Sequence, residues 1–451
     1  MISRRAFLGG AAGTAVVGGG TWAALVRDSV DATSPTLAPA ATATTTSAAP
    51  TTAATPTTTI AEAVARSGAR MPVTDRVLVV LEMAGGNDAL NTLVPIDSGI
   101  YRDLRPELAL SAAEIVPLGD SAWGLHPALS GLLPFWQAET MSAIAGVAMP
   151  EQSRSHFTAM DSWWSGVAGA PSQTGWLGRW LDASLDSERN GVNDPLRAIA
   201  LGGGAPALAG SATMATAIRN PAEFQLLTQP GTDADTLIDA FLATASPLVP
   251  EPTLAAAQNA IPGTLDAVTL LASASSGDDV LGDPNAIPGA GTTAVELLST
   301  AARIISMGIG TRVLTVGISG FDTHAGQLDT HDALLRDIAD GLESFFAQLA
   351  ASDDLDRVMV LTTSEFGRRA AENGSGGTDH GNGGLQFAFG PSIAGGVVHG
   401  DYQLNELVNG DIPLAVDTRS SYRTALEWLG GSGAAEGVFD STPAELALLR
   451  T

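Results

Sequence analysis

Five short, uninterrupted apolar runs, each ending at a polar or glycine-rich break, constrain this chain more than any other feature. They are Arg76–Met83, Met141–Ala148, Leu196–Leu201, Arg312–Ser319 and Arg357–Ser364. An apolar run of this length without polar alternation suits a strand buried on both faces. Helix-period stretches lie between the runs, notably Thr293–Met307 and Asp332–Leu349. The latter sets Leu334, Leu335, Ile338, Leu342, Phe345, Phe346 and Leu349 on one face. Strands alternating with helices predict an α/β fold with a central, mostly parallel sheet flanked by helices. The Ala- and Leu-rich stretch from Pro252 to Ala274 reads as part of a helical insertion around 252–310.

The chain has 451 residues, 45% of them apolar, enough for one large domain or two ordinary ones with a sizeable core. Lys and Arg total 22 against 48 Asp and Glu, a formal charge of -26 that repels phosphate backbones and anionic membranes, so nucleic acid is not an expected partner. Every basic residue is Arg. Without Lys there is no Schiff-base chemistry and no Walker-type phosphate loop. Cys is also absent, which excludes thiolate nucleophiles, disulfides, thiolate zinc sites and iron–sulfur ligation.

Residues 1–30 read as a targeting segment. Arg4 and Arg5, followed by Phe7 and Leu8, precede a mildly apolar, Gly-rich stretch from Gly9 to Val26, which resembles a twin-arginine export signal. That route carries folded proteins and makes the translocation machinery an expected partner and an extracytoplasmic location, secreted or at the cell envelope, the expected destination. No membrane span is expected beyond the signal. Residues 31–65, rich in Ala, Thr, Ser and Pro, have no apolar periodicity over most of their length and read as a disordered linker. The folded domain is expected over 70–451.

The polar motifs fall immediately beyond the carboxyl ends of the expected strands, where α/β enzymes keep their sites. Gly85-Gly86-Asn87-Asp88 follows the first, and the segment from Glu151 through Ser153, Arg154, Ser155 and His156 to Asp161 follows the second. Asp322, His324 and His331 follow the fourth, Glu365 and Arg368 the fifth, and Asp379 and His380 lie in the loop Gly377–Gly384. Four of the six His fall in these clusters. Imidazole and carboxylate donors converging from strand ends suit a divalent cation, Zn, Mn, Mg or Ca. The candidate ligands are Asp88, Asp322, His324, His331, Glu365, Asp379 and His380; His126 and His399, outside the clusters, are read as structural. Ser153 and Ser155 are candidate nucleophiles, with His156 beside them to lower a hydroxyl pKa and Arg154 to hold an anion. A Ser-x-Ser pair at a helix start is equally an N-cap arrangement. Asn87 and Arg368 are further substrate-binding candidates; Glu365 and Arg368 also suit a structural ion pair.

Taken together, the Arg4-Arg5 signal, Gly85–Asn91, Ser153–Phe157, Phe321–His324 with Gln327 and His331, Thr363–Arg368 and Gly377–Gly381 resemble the DUF1501 family of exported bacterial proteins. The resemblance spans roughly 75–448, with later landmarks at Gly400-Asp401, Asp417, Arg419 and Tyr422. That family resembles the alkaline phosphatase and sulfatase superfamily in fold. The superfamily resemblance implies metal sites at the strand ends and transfer of a phosphoryl or sulfuryl group to a Ser or Thr. It sets Asp88 in the place of the first-strand metal carboxylate, Ser153 or Ser155 in that of the nucleophile, Asp322 and His324 in that of one metal's Asp and His, and His380 in that of the late His. Glu365-Phe366 stands where an Asp-His pair is expected, and Ser153 lacks the Pro of the formylglycine sulfatase motif.

Two functions follow from these residues. One is an exported, metal-dependent hydrolase of phosphate or sulfate esters, with an anionic small molecule or polymer as substrate. The other is a non-catalytic envelope protein that uses a phosphatase-like scaffold for binding. The export signal is testable alone: replacing Arg4 and Arg5 together by Lys leaves the full-length precursor in the cytoplasm, read by fractionation and immunoblot. Unchanged export of the double variant overturns the twin-arginine assignment.

Overall fold

The computed structural model describes residues 59–66, 72–169, 172–185, 194–213, 215–218, 234–245 and 292–450, together with 16–17, 20–21, 258, 261–262 and 265. The export segment and the linker therefore lie mostly outside the described residues, as does most of the expected insertion from 252 to 291.

Nine strands form the main sheet: β1 (Val77–Ala84), β2 (Met141–Ala148), β3 (Ala198–Leu201), β4 (Thr216–Ile218), β5 (Val313–Ser319), β6 (Val358–Thr363), β7 (Gly384–Phe389), β8 (Val398–Gly400) and β9 (Val416–Asp417). The order across the sheet is β8-β2-β7-β6-β1-β5-β3-β4, with β9 also paired to β2. All pairings are parallel except those of β7, which runs against both β6 and β2. The five expected runs become β1, β2, β3, β5 and β6, with ends shifted by two residues at most.

Among the described residues, the helices flanking the sheet include α1 (His156–Ser165), α2 (Trp176–Ala183), α3 (Ala294–Ser306), α4 (Gln327–Ala351) and α5 (Thr418–Gly430). Alternate strand residues feed two cores. Val77, Val79 and Leu81 of β1 pack on the α3 and α4 side, whereas Leu78 and Val80 pack on the side of α1, α2 and α5. This two-sided burial is why the strands read as continuous apolar runs.

Thr293 opens α3 through a capping box with Glu296: the Glu296 N–H donates to Thr293 Oγ1 at 3.2 Å and the Thr293 N–H to Glu296 Oε2 at 2.9 Å. The helix is buried along Leu297, Leu298, Ala301, Ile304 and Ile305 against α4. Ala294–Ser306 therefore belongs to the flanking layer, which corrects the expectation that the insertion reaches 310. The linker boundary also moves. Ile60–Arg66 is helical, and Ala61 and Val64 are buried in the α3/α4-side core.

The reversed strand β7 fixes the site. The chain leaves β6 at Thr363, folds across the carboxyl end of the sheet as residues 364–383, and re-enters the sheet from that same end. One loop thus delivers Glu365, Arg368, Asp379 and His380 over the strand ends.

Phe346 of α4 is fully buried and packs against Phe135, Phe345 and Phe389, with ring centroids 5.3, 5.3 and 6.4 Å away. Phe346→Ala leaves a cavity that the flanking β7 and helix cannot close, and lowers unfolding stability by about 3–5 kcal/mol. Urea denaturation tests this as a lower midpoint with an unchanged slope.

Candidate metal centre

Three imidazoles and one carboxylate meet beyond the strand ends. Asp322 follows β5, His324 lies two residues further, His380 comes from the 364–383 loop, and His156 opens α1. His156, Asp322 and His380 each bring a donor atom within 4.8 Å of the others. His380 Nε2 and His324 Nε2 lie 3.0 and 3.1 Å from Asp322 Oδ1 and 2.9 Å from each other. His156 Nε2 faces Asp322 Oδ2 at 3.4 Å, and this buried nitrogen has no hydrogen-bond partner among the described residues.

The opposite nitrogens are occupied. His156 Nδ1 sits 2.8 Å from Glu365 Oε1, His380 Nδ1 2.8 Å from the Arg154 carbonyl oxygen, and His324 Nδ1 3.4 Å from Asp379 Oδ1. An acceptor beside Nδ1 selects the tautomer with the proton there, which leaves the Nε2 lone pair aimed at Asp322. Glu365 is itself pinned: both oxygens accept the Gly85 N–H, at 2.9 and 3.0 Å, and Oε2 accepts the Gly86 N–H at 3.2 Å. Gly85 has φ +123°, and a Cβ there would come within 2.3 Å of the Asp322 nitrogen, so only glycine admits this approach of β1 and β5 loops. Burial alone would raise Asp322, but the Arg368 guanidinium that donates to it outweighs this and holds its carboxyl at about 2.

Several residues grouped by sequence occupy other places. Asp88 forms a fully buried ion pair with Arg105, Nη1 to Oδ2 at 2.6 Å and Nη2 to Oδ1 at 2.9 Å, and Gln327 Nε2 also donates to Oδ2. Burial opposes its charge, but the Arg105 guanidinium more than compensates and keeps the carboxyl below its usual range. Both oxygens are committed inside the protein, so Asp88 is not a free ligand. His331 is buried on α4 and bonds Asn87 Oδ1 at 2.9 Å, which also takes Asn87 away from a substrate-facing role. Glu365 and Asp379 stand behind His156 and His324 rather than beside Asp322.

Arg368 is 1% exposed and serves the backbone, not an external anion. Its Nε donates to Gly86 O at 2.7 Å, Nη1 to Thr378 O at 2.8 Å, and Nη2 to Phe321 O and Asp322 Oδ1, each at 2.8 Å, and to Gly85 O. Its carboxylate partner is Asp322, not Glu365. Arg154 pairs with Asp411. Ser155 is the exposed N-cap of α1, and its hydroxyl makes no capping bond, whereas Ser153 Oγ accepts the Ser155 N–H at 3.1 Å. Among the described residues no hydrogen bond joins either hydroxyl to the histidine cluster. His126 caps the turn at Pro127 by accepting the Ala128 N–H at 3.1 Å.

Sequence reasoning missed Arg105, Asp411 and Glu82. Glu82 is the one acid inside β1; burial pushes its carboxyl up to about 7 although Trp164 Nε1 donates to it at 3.1 Å. Its signal was a single acid in an otherwise apolar strand.

The family model described as "Protein of unknown function (DUF1501)" matches residues 285–408, the span that carries Asp322, His324, Arg368, Asp379 and His380. The chain resembles DUF1501. No curated protein matches it. Among solved structures, the lipoteichoic acid synthase LtaP from Listeria monocytogenes aligns at 10% identity over 78% of this chain and 76% of that one, with a TM-score of 0.33. The PsFucS1 sulfatase from Pseudoalteromonas sp. aligns at 14% identity over 79% and 68%, with a TM-score of 0.32. His156 lies before residue 285 and so enters the centre from outside the matched span, whereas its partner Glu365 lies within it.

Burial drives the His331 ring down to about 4; nearby Asp88 works against this, while His126, Arg105 and Arg368 add to it. The folded value lies below that of an unfolded His, about 6.5. The unfolded chain therefore binds the extra proton between these values, and stability falls as pH drops from about 6.5 towards 4. His331→Gln removes this contribution. Denaturation midpoints measured across that window fall less steeply in the variant than in the wild type, and parallel slopes overturn the assignment.

Proposed function

We propose that this protein is an exported hydrolase of phosphate or sulfate esters that works with a divalent cation held by His156, Asp322, His380 and His324. The observation that carries the reading is the convergence of three Nε2 lone pairs, their tautomers set from behind, on a carboxylate that is ionised at neutral pH. The Asp322 oxygens lie 3.0, 3.1 and 3.4 Å from the Nε2 atoms of His380, His324 and His156, and His324 Nε2 lies 2.9 Å from His380 Nε2, spacings short enough for neighbouring donors to share one cation. The buried His156 Nε2 has no hydrogen-bond partner among the described residues, and a cation held there would give it one. The donor set of imidazole and carboxylate suits Zn or Mn better than Ca.

Such a cation, when bound, supplies Lewis acidity for an anionic oxygen and a coordinated water of lowered pKa. The protein's own residues set up the chemistry. Glu365 and the Arg154 carbonyl keep the Nδ1 protons of His156 and His380 in place, and Arg368 holds Asp322 from the buried side. Ser155, exposed and uncapped one residue before His156, is the hydroxyl we assign to attack. The export reading rests on Arg4 and Arg5.

The alternative, a binding protein on the same scaffold, is favoured by one specific feature: Arg368, an expected anion clamp, spends its donors on Asp322 and four backbone carbonyls. Elemental analysis and an ester screen separate the two. Protein purified without chelator is expected to carry about one divalent cation per chain. His324→Ala and His380→Ala are each expected to lose it together with phosphatase or sulfatase turnover. Glu365→Gln, which keeps the shape but weakens the acceptor behind His156, lowers metal affinity by about 10- to 100-fold. No metal above background in folded wild type sinks the hydrolase; stoichiometric metal with no turnover of any ester leaves the binding protein.

A further inference from the structure

Two arginines next to the histidine cluster share one carboxylate. Arg154 Nη2 is paired with Asp411 Oδ2, and Arg369 Nε lies 3.5 Å from Asp411 Oδ1. The arginine side chains are 46% and 33% exposed, whereas Asp411 is 7% exposed, and its Oδ1 has no hydrogen-bond partner among the described residues. Two half-solvated guanidinium groups thus face a single, incompletely satisfied anion.

Asp411 is presented rigidly. Val408 and Asp411 exchange both backbone hydrogen bonds at 3.0 Å around Asn409 and Gly410, whose φ values of 54° and 83° make a tight left-handed turn. Arg369 Nη2 also donates to the Asn409 carbonyl, and the Ala370 N–H to that of Gly410 at 3.3 Å. The turn is the fixed part and the Arg154 side chain the free one.

Both arginines are wired to the cluster through the backbone. The Arg154 carbonyl accepts from His380 Nδ1 at 2.8 Å, and the Arg369 N–H donates to the carbonyl of Asp379, whose side chain faces His324. A ligand whose reacting group lay at the histidines would have these cations as neighbours. In a chain of net charge -26 they form a local exception to the field. Guanidinium binds phosphate or sulfate oxygens bidentately, a better match than the partial pairing with Asp411.

We propose that Arg154 and Arg369 form a second anion subsite beside the histidine cluster, occupied by Asp411 until a substrate bearing a second phosphate or sulfate group displaces it. This rests on the ester-hydrolase reading and narrows its substrate class to esters with at least two anionic groups.

The test compares binding of fructose 6-phosphate and fructose 1,6-bisphosphate by isothermal titration calorimetry, with turnover followed separately by phosphate release. The wild type is expected to prefer the bisphosphate by about 10-fold, the worth of one charge-assisted contact. Arg154→Gln, at an exposed side chain, and Arg369→Gln, at a half-buried one, bring the ratio towards one, and Asp411→Asn raises it. A ratio near one in the wild type, or one unmoved by all three substitutions, overturns the subsite. If the preference holds and neither ester turns over, the subsite stands and the hydrolase reading falls; turnover without preference gives the reverse.

Discussion

The functional end of the molecule hangs on one buried guanidinium. Arg368 reaches from the 364–383 loop into the space between β1 and β5 and donates to Gly85, Gly86, Phe321 and Thr378 carbonyls and to Asp322. A cation removed from water is tolerated only when its donors are met, and here the contacts tie the segments after β1 and β5 and the far end of the 364–383 loop to the same point. The carboxylate that collects the histidines is thereby fixed from behind. Gly86 shows how tightly this is packed: with φ +81°, a Cβ at this position would meet the Phe366 ring at 2.3 Å.

Around that anchor the acids divide by environment. Glu365 receives backbone N–H groups and an imidazole, Asp322 receives Arg368, and Asp88 receives Arg105 and Gln327. Glu82, a few residues away on β1, has only the Trp164 indole and is pushed up to about 7. Asp88 is spent on Arg105 and Glu365 stands behind His156, which leaves Asp322 as the carboxylate that the Nε2 atoms of His156, His324 and His380 face.

The strands were legible because burial on both faces writes itself as continuous apolar runs, and the motif positions followed because polar residues directly after such runs must sit at the strand ends. The reversed strand β7 was not legible. Gly384–Phe389 carries no mark that distinguishes antiparallel from parallel pairing, since direction depends on where the preceding loop leaves the chain. The roles of Asp88 and His331 were likewise hidden: a carboxylate that binds a metal and one that binds a buried Arg105 look the same until the tertiary partner is known.

The sequence by itself determined the α/β architecture, the end of the sheet that carries the polar residues, and the exclusion of Lys- and Cys-based chemistry, because periodicity and composition are local properties. Only the tertiary structure decided which of the candidates meet. His156, Asp322 and His380 come from three loops separated by up to 224 positions, and their donor atoms converge because β7 returns its loop over β1 and β5. Distances of about 3 Å across such separations are set by strand pairing and a shared buried cation, and neither is written at any one position of the chain.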